Sequence, residues 1–128
     1  MYVFDASALI AFLSDEKGAG AVEAMIKEVE AGDEEGIIGP VTLAETFHAY
    51  AKNHGEAEAY EVVTQLKLSK LRVLPLGEDI AIKAGSYKLK GMPLADAIVA
   101  ATAKRLRAKL VAADAHFREL DIDLLEFR

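Results

Sequence analysis

The sequence predicts an α/β fold in which a five-stranded parallel sheet is flanked by helices on both faces. The prediction depends first on short apolar segments that recur along the chain and are separated by segments with helical spacing. A helix between consecutive strands is typical of parallel crossover connections. The 128 residues are also enough for a single domain, 1–128, with a sizeable core.

Each predicted strand is short and apolar. The first is followed directly by Asp5, the second ends at Pro40, and the fourth ends at Asp114. The fifth is expected at an edge of the sheet. The predicted strands are 2–4, 36–40, 71–76, 109–113 and 122–127.

The predicted helices occupy the segments between these strands. In the second helix, Val22 and Val29 belong to an apolar stripe at helical spacing. Thr42 and Glu45 have the spacing of a capping box, which places the start of the third helix near Thr42. Pro93 suits the first turn of the last helix, whose many alanines allow close packing against a neighbour. The helices are expected at 7–13, 19–31, 42–53, 56–68, 78–90 and 94–108, with a further turn at 117–120.

Composition restricts the classes of protein to which the chain can belong. The sequence has no cysteine, which excludes a disulfide scaffold or a thiolate metal site and is consistent with a reducing compartment. No apolar run approaches the roughly 18 residues that a membrane-spanning helix needs. The apolar start meets Asp5 at once and has no basic leader, so we expect no signal peptide. We therefore expect a cytoplasmic protein with no membrane partner.

Charge is distributed unevenly between the two halves of the chain. The net charge of −6 argues against a general nucleic-acid coat. Residues 1–64 carry 13 acidic and 3 basic side chains, whereas residues 65–128 carry 8 acidic and 12 basic side chains. The basic side chains of the second half either form solvated helix faces or line a rim that faces a polyanion. They include Lys83, Lys88, Lys90, Lys104, Arg105, Arg107 and Lys109.

Four carboxylates lie at junctions between predicted elements. Asp5 and Asp114 end strands, while Glu45 and Asp96 fall in the first turns of predicted helices. Because strand ends and helix starts share one side of a parallel sheet, we expect the four side chains to converge in a crevice at that edge. Clustered carboxylates repel one another unless a cation is present, and hard cations such as Mg²⁺ or Mn²⁺ prefer oxygen ligands. Such a metal supports phosphodiester hydrolysis.

Each carboxylate also has a purely structural explanation. Asp5 and Asp114 could cap the helical turns that follow them. Glu45 could complete a capping box with Thr42, and Asp96 could favour the positive end of its helix. Each explanation is reasonable by itself, but together they do not explain why all four acids are expected at one edge of the sheet.

The motifs, in this order, resemble the PIN domain and, more narrowly, the VapC-type toxin ribonucleases of toxin–antitoxin pairs. The resemblance extends over essentially the whole chain. The motifs are Asp-x-Ser at 5–7, Thr-x-x-Glu at 42–45, Leu-Ala-Asp-Ala-Ile-Val-Ala-Ala-Thr-Ala at 94–103 and Leu-Val-Ala-Ala-Asp-Ala-His-Phe at 110–117.

The resemblance implies a Mg²⁺- or Mn²⁺-dependent endoribonuclease that acts on RNA, forms a homodimer and has a cognate antitoxin protein. Asp5, Glu45, Asp96 and Asp114 match the acidic quartet of the family. Asp5, Asp96 and Asp114 are then expected to hold the metal or its waters, and Glu45 to ligate the metal or orient the attacking water. Ser7 matches the small hydroxyl that supports the first acid.

Residues near the quartet are weaker candidates for a functional role. Phe117 matches an aromatic residue that we expect to pack, and Ala115 stands where the family often has a polar residue. His116, beside Asp114, could touch substrate or a metal-bound water, but we expect a solvated loop residue. Glu45 and His48 have the spacing of half a di-iron carboxylate site, but a single copy argues against one.

Two alternatives from other classes stay open. Clustered acids also bind Mg²⁺ in flavodoxin-like signalling receivers. A receiver carries an acid pair after its first strand and a phosphoacceptor after its third, and this sequence has neither. An inactive PIN-like binding module is the other alternative, which metal titration separates from the enzyme.

Overall fold

The computed structural model describes residues 1–128 and contains five strands and six α-helices. The strands are β1 (Tyr2–Phe4), β2 (Gly36–Ile38), β3 (Arg72–Val73), β4 (Lys109–Ala112) and β5 (Asp123–Glu126). The helices are α1 (Ala6–Leu13), α2 (Ala19–Glu30), α3 (Pro40–His54), α4 (Glu56–Leu68), α5 (Glu78–Lys88) and α6 (Leu94–Leu106). A short 3₁₀ helix (Ala115–Glu119) joins β4 to β5.

The five strands form one sheet in which all pairs are parallel and the order is β3-β2-β1-β4-β5. The central strand is β1, where Val3 lies opposite Ile37 of β2 and Leu110 of β4. The fifth strand lies at an edge, as predicted. Because helices connect consecutive strands, both faces of the sheet are covered, and the predicted fold class is confirmed.

The two faces of the sheet bury separate apolar clusters. On one face Val3 packs with Ile80 of α5 and with the small side chains of α6. On the other face Tyr2 and Phe4 pack with residues of α1, α2 and α4, among them Leu9. Side chains of a strand alternate between faces, so β1 contributes to both clusters. The alanines that α6 buries allow it to lie against α5 and the sheet, as their number predicts.

Several element boundaries differ from the predictions, and the start of α3 is the most informative. Helix α3 begins at Pro40, because the fixed φ of proline suits the first helical position, and Gly39 precedes it without a side-chain cap. The predicted capping box is therefore wrong: Thr42 is already inside the helix, and its hydroxyl is buried without a hydrogen-bond partner. Helix α6 begins at Leu94 as predicted, with Pro93 at its N-cap position and not in its first turn.

Strand β3 is also shorter than the predicted segment 71–76. Leu74 still donates a hydrogen bond from its backbone N–H to the carbonyl of Ile38, at 2.9 Å. Pro75 has no N–H with which to continue the ladder, so the strand ends before it. None of the helices combines the length and apolar character that crossing a membrane requires.

Candidate functional site

A cavity of about 630 Å³ lies at the carboxyl ends of β1 and β4. Asp5 and Ala6 line it where β1 ends, and the segment 113–115 lines it where β4 ends. This is the position at which a parallel sheet opens a crevice for ligands. The remaining lining residues are Ser7, Ile10, Glu45, His48, Ala49, Asp96 and Arg128.

Asp5 is the most deeply buried of the acids that line the cavity. It caps the N-terminus of α1: Asp5 Oδ2 accepts a hydrogen bond from the N–H of Ser7 at 3.1 Å and from its hydroxyl at 2.6 Å. The side chain is only 6% exposed, and its second oxygen, Oδ1, is buried without any hydrogen-bond partner. A buried carboxylate oxygen without a partner is costly, so the capping role alone does not account for Asp5.

Asp5, Glu45 and Asp96 form the first cluster of the site. Each offers a carboxylate oxygen, and the three oxygens lie within 4.8 Å of one another. Asp96 is in the first turn of α6, as predicted. Glu45 is not in the first turn of α3 because that helix begins five residues earlier, at Pro40; it reaches the cavity from the second turn.

A second cluster consists of Asp96, Asp114 and His116, whose ligand atoms also lie within 4.8 Å of one another. The imidazole lies between the two carboxylates: Nε2 is 2.8 Å from Asp96 Oδ2, and Nδ1 is 2.8 Å from Asp114 Oδ1. His116 is exposed, as expected, but it lies in the 3₁₀ helix and its ring contacts both carboxylates. Asp96 belongs to both clusters and joins them.

Asp114 also caps the 3₁₀ helix, because its Oδ1 lies 3.4 Å from the backbone N–H of His116. Capping and membership of the cluster are thus compatible, as they are for Asp5. Phe117, the next residue, is fully buried in the core and packs as expected.

The proximity of the acids changes their protonation. Burial, followed by the negative charges of Asp5 and Asp96, raises the pKa of Glu45 above its usual value. Burial and the charge of Asp5 also raise the pKa of Asp96, while the hydrogen bond from His116 opposes that rise. Mutual repulsion of this kind is relieved when a cation enters the cluster.

The oxygen-rich donor set fits a hard divalent cation. Three carboxylates of the first cluster supply the ligands that Mg²⁺ and Mn²⁺ accept, and the unpartnered Asp5 Oδ1 is an oxygen that no protein group satisfies. Ser7 holds the other oxygen of Asp5 and also accepts a hydrogen bond from the N–H of Ala113 at 3.3 Å. The residues present therefore fit a divalent cation.

Two residues at the site were not predicted for it from the sequence: Arg128, which lines the cavity, and His116, which lies beside it. Arg128 follows β5, and the pairing of β5 with β4 places it at the acidic cavity. No local sequence pattern indicates this position. His116 could have been suspected from its position two residues after Asp114, but its contact with Asp96 depends on the packing of α6. His48 is exposed, lines the cavity and belongs to neither cluster, so no half di-iron site forms with Glu45.

Of the basic residues of the second half, Arg128 lines the cavity, and the lysines and arginines of the helices do not. Arg105 pairs with Asp79 at 2.6 Å and Lys104 pairs with Asp121 at 3.0 Å. Lys90 alone comes near, since it shares a smaller neighbouring cavity with His116. Apart from Lys90, these residues therefore agree better with solvated helix faces than with one basic rim that faces a polyanion.

Comparisons with known proteins agree with the fold. A family model described as the PIN domain matches residues 2–123. No curated protein sequence matches the chain.

Solved structures with the same architecture come from several bacteria. A toxin–antitoxin complex from Klebsiella pneumoniae is 21% identical with a TM-score of 0.74, over 100% of this chain and 98% of that chain. VapC20 of Mycobacterium tuberculosis, a sarcin–ricin loop cleaving toxin, is 16% identical with a TM-score of 0.76, over 95% and 96%. DNA-bound VapBC from Salmonella typhimurium is 17% identical with a TM-score of 0.77, over 99% and 98%.

Proposed function

The chain belongs to the PIN domain family, and from this premise we propose that it is a Mg²⁺- or Mn²⁺-dependent endoribonuclease. We include in the proposal that its residues 1–128 form a single nuclease domain and that it acts in the cytoplasm as the toxin of a type II toxin–antitoxin pair. The observation that supports it most is the convergence of Asp5, Glu45, Asp96 and Asp114 on one cavity, with Asp5 Oδ1 buried and unpartnered.

In this proposal Asp5, Asp96 and Asp114 hold the cation or its waters. When bound, the cation supplies an activated water and offsets negative charge on the scissile phosphate. Glu45, whose raised pKa reflects burial and two neighbouring carboxylates, ligates the cation or orients the attacking water. Ser7 keeps Asp5 in place through the 2.6 Å hydrogen bond and is not a nucleophile.

The substrate is RNA in this proposal, and its products carry 5′-phosphate and 3′-hydroxyl ends. Four carboxylates repel an approaching phosphodiester unless a positive charge compensates their negative charge. Arg128 is the one lysine or arginine among the residues that line the cavity. Its guanidinium makes long polar contacts, 3.5 Å to Glu16 Oε1 and 3.4 Å to the carbonyl of Lys17, and lies 5.3 Å from the ring centroid of Phe127, so no short ion pair keeps it from a phosphate.

A protein partner has a suitable surface beside the cavity. An apolar groove of about 390 Å³ lies between α1, α2 and α4, where Phe12, Leu13, Ile26 and Val62 line it. Helix α1 carries both this groove and, with Ser7 and Ile10, one wall of the acidic cavity. We infer that the antitoxin lays an apolar segment in the groove and directs an arginine toward the carboxylates.

A second copy of the chain is the other proposed partner. Ile82, on α5, is 76% exposed, and Leu89, at the C-terminal end of α5, is 90% exposed. Both are large apolar residues. Residues seven apart share one face of a helix, so the two side chains present a common apolar patch. Light scattering coupled to size-exclusion chromatography tests the homodimer: Ile82→Glu is expected to shift it toward a monomer.

The decisive experiment is cleavage of a mixed RNA substrate with and without Mn²⁺. We expect cleavage only with the cation, and a loss on the order of 10²-fold or more in Asp5→Asn through weaker metal binding. Asp33→Asn, an exposed loop carboxylate outside the cavity, is the matched control and should cleave like wild type.

Two outcomes would contradict the proposal. If Asp5→Asn cleaves RNA as well as wild type at the same Mn²⁺ concentration, the assignment of the acids is wrong. If calorimetry shows cation binding but RNA stays intact under all conditions, the chain is a PIN-like binding module.

A further inference from the structure

We propose that a small pocket beside the acidic cavity binds a guanine base of the RNA, next to the phosphate that is cleaved. The pocket has a volume of about 130 Å³ and lies between the segment that joins α5 to α6 and the 3₁₀ helix. We call it the base pocket. The inference rests on the proposed function and deepens it, because it names a nucleotide that the acidic quartet by itself does not select.

The base pocket adjoins the acidic cavity through the side chain of His116. Its Nε2 lies 2.8 Å from Asp96 Oδ2 and its Nδ1 lies 2.8 Å from Asp114 Oδ1, and both acids line the acidic cavity. His116 itself lines the base pocket. The imidazole therefore stands between the two sites. A nucleotide whose phosphate lies at the carboxylates has the base pocket within reach of its base.

The lining of the base pocket fits one flat ring system. Pro93 and the buried side chains of Met92 and Leu120 supply apolar surface. His116 supplies an aromatic ring, and the bases of single-stranded RNA commonly stack on such rings. A protein cavity of about 150 Å³ takes one benzene molecule, so a surface pocket of about 130 Å³ has the scale of a base and not of a whole nucleotide.

Lys90 and Glu119 give the base pocket one donor group and one acceptor group. Both are exposed, and neither forms an ion pair within the chain. Arg118, next to Glu119, is by contrast paired with Glu126 at 2.8 Å. The ammonium of Lys90 lies 6.0 Å from the centroid of the Tyr87 ring, which is the outer limit of a cation–π contact. Both charged groups are therefore available to a ligand.

These two groups match guanine better than the other bases. A carboxylate only accepts hydrogen bonds, and its two oxygens can accept from two neighbouring N–H groups. Among the four bases guanine alone offers such a pair, N1–H and N2–H, while its O6 and N7 accept from a lysine. We therefore assign Glu119 to the N1–H and N2–H edge and Lys90 to O6 or N7. An arginine of a protein partner also has paired N–H groups, but the charge of Lys90 repels it.

Binding of single nucleotides to the full chain tests the base pocket without reference to cleavage. The probes are the 5′-monophosphates of guanosine, adenosine, cytidine and uridine in the presence of Mg²⁺, and NMR titration measures their affinities. Because the four probes share one phosphate group, differences between them report the base. We expect guanosine monophosphate to bind at least about tenfold more tightly than the others and to shift the signals of Lys90, His116 and Glu119.

Substitutions and one further nucleotide assign the contacts. Glu119→Gln keeps the size of the side chain but replaces one acceptor with a donor, so it should reduce the guanosine preference to less than about threefold. Lys90→Met should reduce the preference as well. Inosine monophosphate lacks the N2 amino group and should bind more weakly than guanosine monophosphate to wild type, but equally to Glu119→Gln. Lys88→Met and Glu35→Gln, which alter exposed residues outside the base pocket, are the controls.

Cleavage of a random RNA pool tests whether the base pocket selects the cut site. Sequencing of the product ends should show guanine enriched at one position next to the cut for wild type and for both controls. Glu119→Gln should lose this enrichment. The inosine comparison uses the wild-type chain, so it remains a test even if Glu119→Gln does not fold.

The two proposals fail in different ways. If RNA is cleaved but guanosine monophosphate binds no more tightly than the other nucleotides, or shifts signals elsewhere, the base pocket is wrong and the ribonuclease stands. A preference for another base also overturns the inference. If RNA stays intact while the guanosine preference appears and is lost in Glu119→Gln, the guanine pocket stands and the ribonuclease is wrong. If neither cleavage nor guanosine preference appears, both are wrong.

Discussion

Ser7 connects the ends of two neighbouring strands through Asp5: its hydroxyl donates to Asp5 Oδ2 at 2.6 Å and accepts from the N–H of Ala113 at 3.3 Å. Asp5 follows β1, and Ala113 lies between β4 and Asp114. One hydroxyl therefore fixes the orientation of the buried carboxylate relative to the strand end that carries another acid of the site.

Removing this hydroxyl should weaken the site more than the fold. We expect Ser7→Ala to lower RNA cleavage by about 10- to 100-fold, as for other residues that orient metal ligands, and to cost about 1 kcal/mol in unfolding free energy. Single-turnover cleavage and thermal melts measure the two effects. Ser86→Ala, at an exposed position on α5, is the control. Equal losses of activity in both variants would contradict an orienting role for Ser7.

Neutralising Glu45 should stabilise the protein in the absence of metal. Burial and the charges of Asp5 and Asp96 raise the pKa of Glu45, so its charged form is disfavoured in the fold. We expect Glu45→Gln to raise Tm by on the order of 2 °C at pH 7 in a chelator. The exposed loop variant Glu35→Gln should leave Tm unchanged.

The pH dependence of this effect has a definite sign. Because the folded pKa of Glu45 lies above the unfolded value, the penalty is absent below about pH 4 and grows as the pH rises through the folded pKa. The difference in Tm between Glu45→Gln and wild type should therefore shrink to zero at acid pH. A constant difference from pH 4 to pH 8 would show that charge is not its cause.

Cation binding should weaken in acid for the same reason. Glu45 and Asp96 both have raised pKa values and must lose their protons before they can bind a metal. We expect the Mn²⁺ affinity to rise with pH above about pH 4, with more protons released at pH 5 than at pH 8. Calorimetry in two buffers of different ionisation enthalpy counts those protons. An affinity independent of pH would mean that neither group binds the cation.

The hydroxyl of Thr42 is expected to contribute nothing to helix capping. It is buried without a hydrogen-bond partner, as is that of Thr46 one turn later. Thr42→Val should therefore keep or raise the unfolding free energy, by up to about 1 kcal/mol, because an unsatisfied polar group is removed. A capping box would instead predict a loss of about 1 kcal/mol. Denaturant unfolding of Thr42→Val and Thr46→Val distinguishes the two.

Most of the fold could be predicted because the signals are local. The apolar run before Asp5 gives β1 its bounds, and helical spacing from Ala19 onward places α2 within one residue of its end. The spacing of Thr42 and Glu45 imitates a capping box and predicts the start of α3 too late, whereas Pro40 begins the helix. The apolar run predicts too long a third strand, because it does not show where Pro75 interrupts the hydrogen bonds.

The convergence of the acids could be predicted for a topological reason. In a parallel sheet the carboxyl ends of all strands share one edge, so Asp5 and Asp114 are expected at the same edge, and the pairing of β1 with β4 brings both to one cavity. Their roles as metal ligands stay predictions, which the cleavage and binding experiments test.

The sequence by itself determined which side chains could reach that edge, since strand ends and helix starts follow from local periodicity. Only the tertiary structure decided how they meet there. The contact of His116 with Asp96 joins residues 20 apart through the packing of α6 against the 3₁₀ helix, and Arg128 reaches the cavity because β5 pairs with β4. Neither depends on a local pattern, because the relative placement of separate elements is set by the burial of their apolar faces.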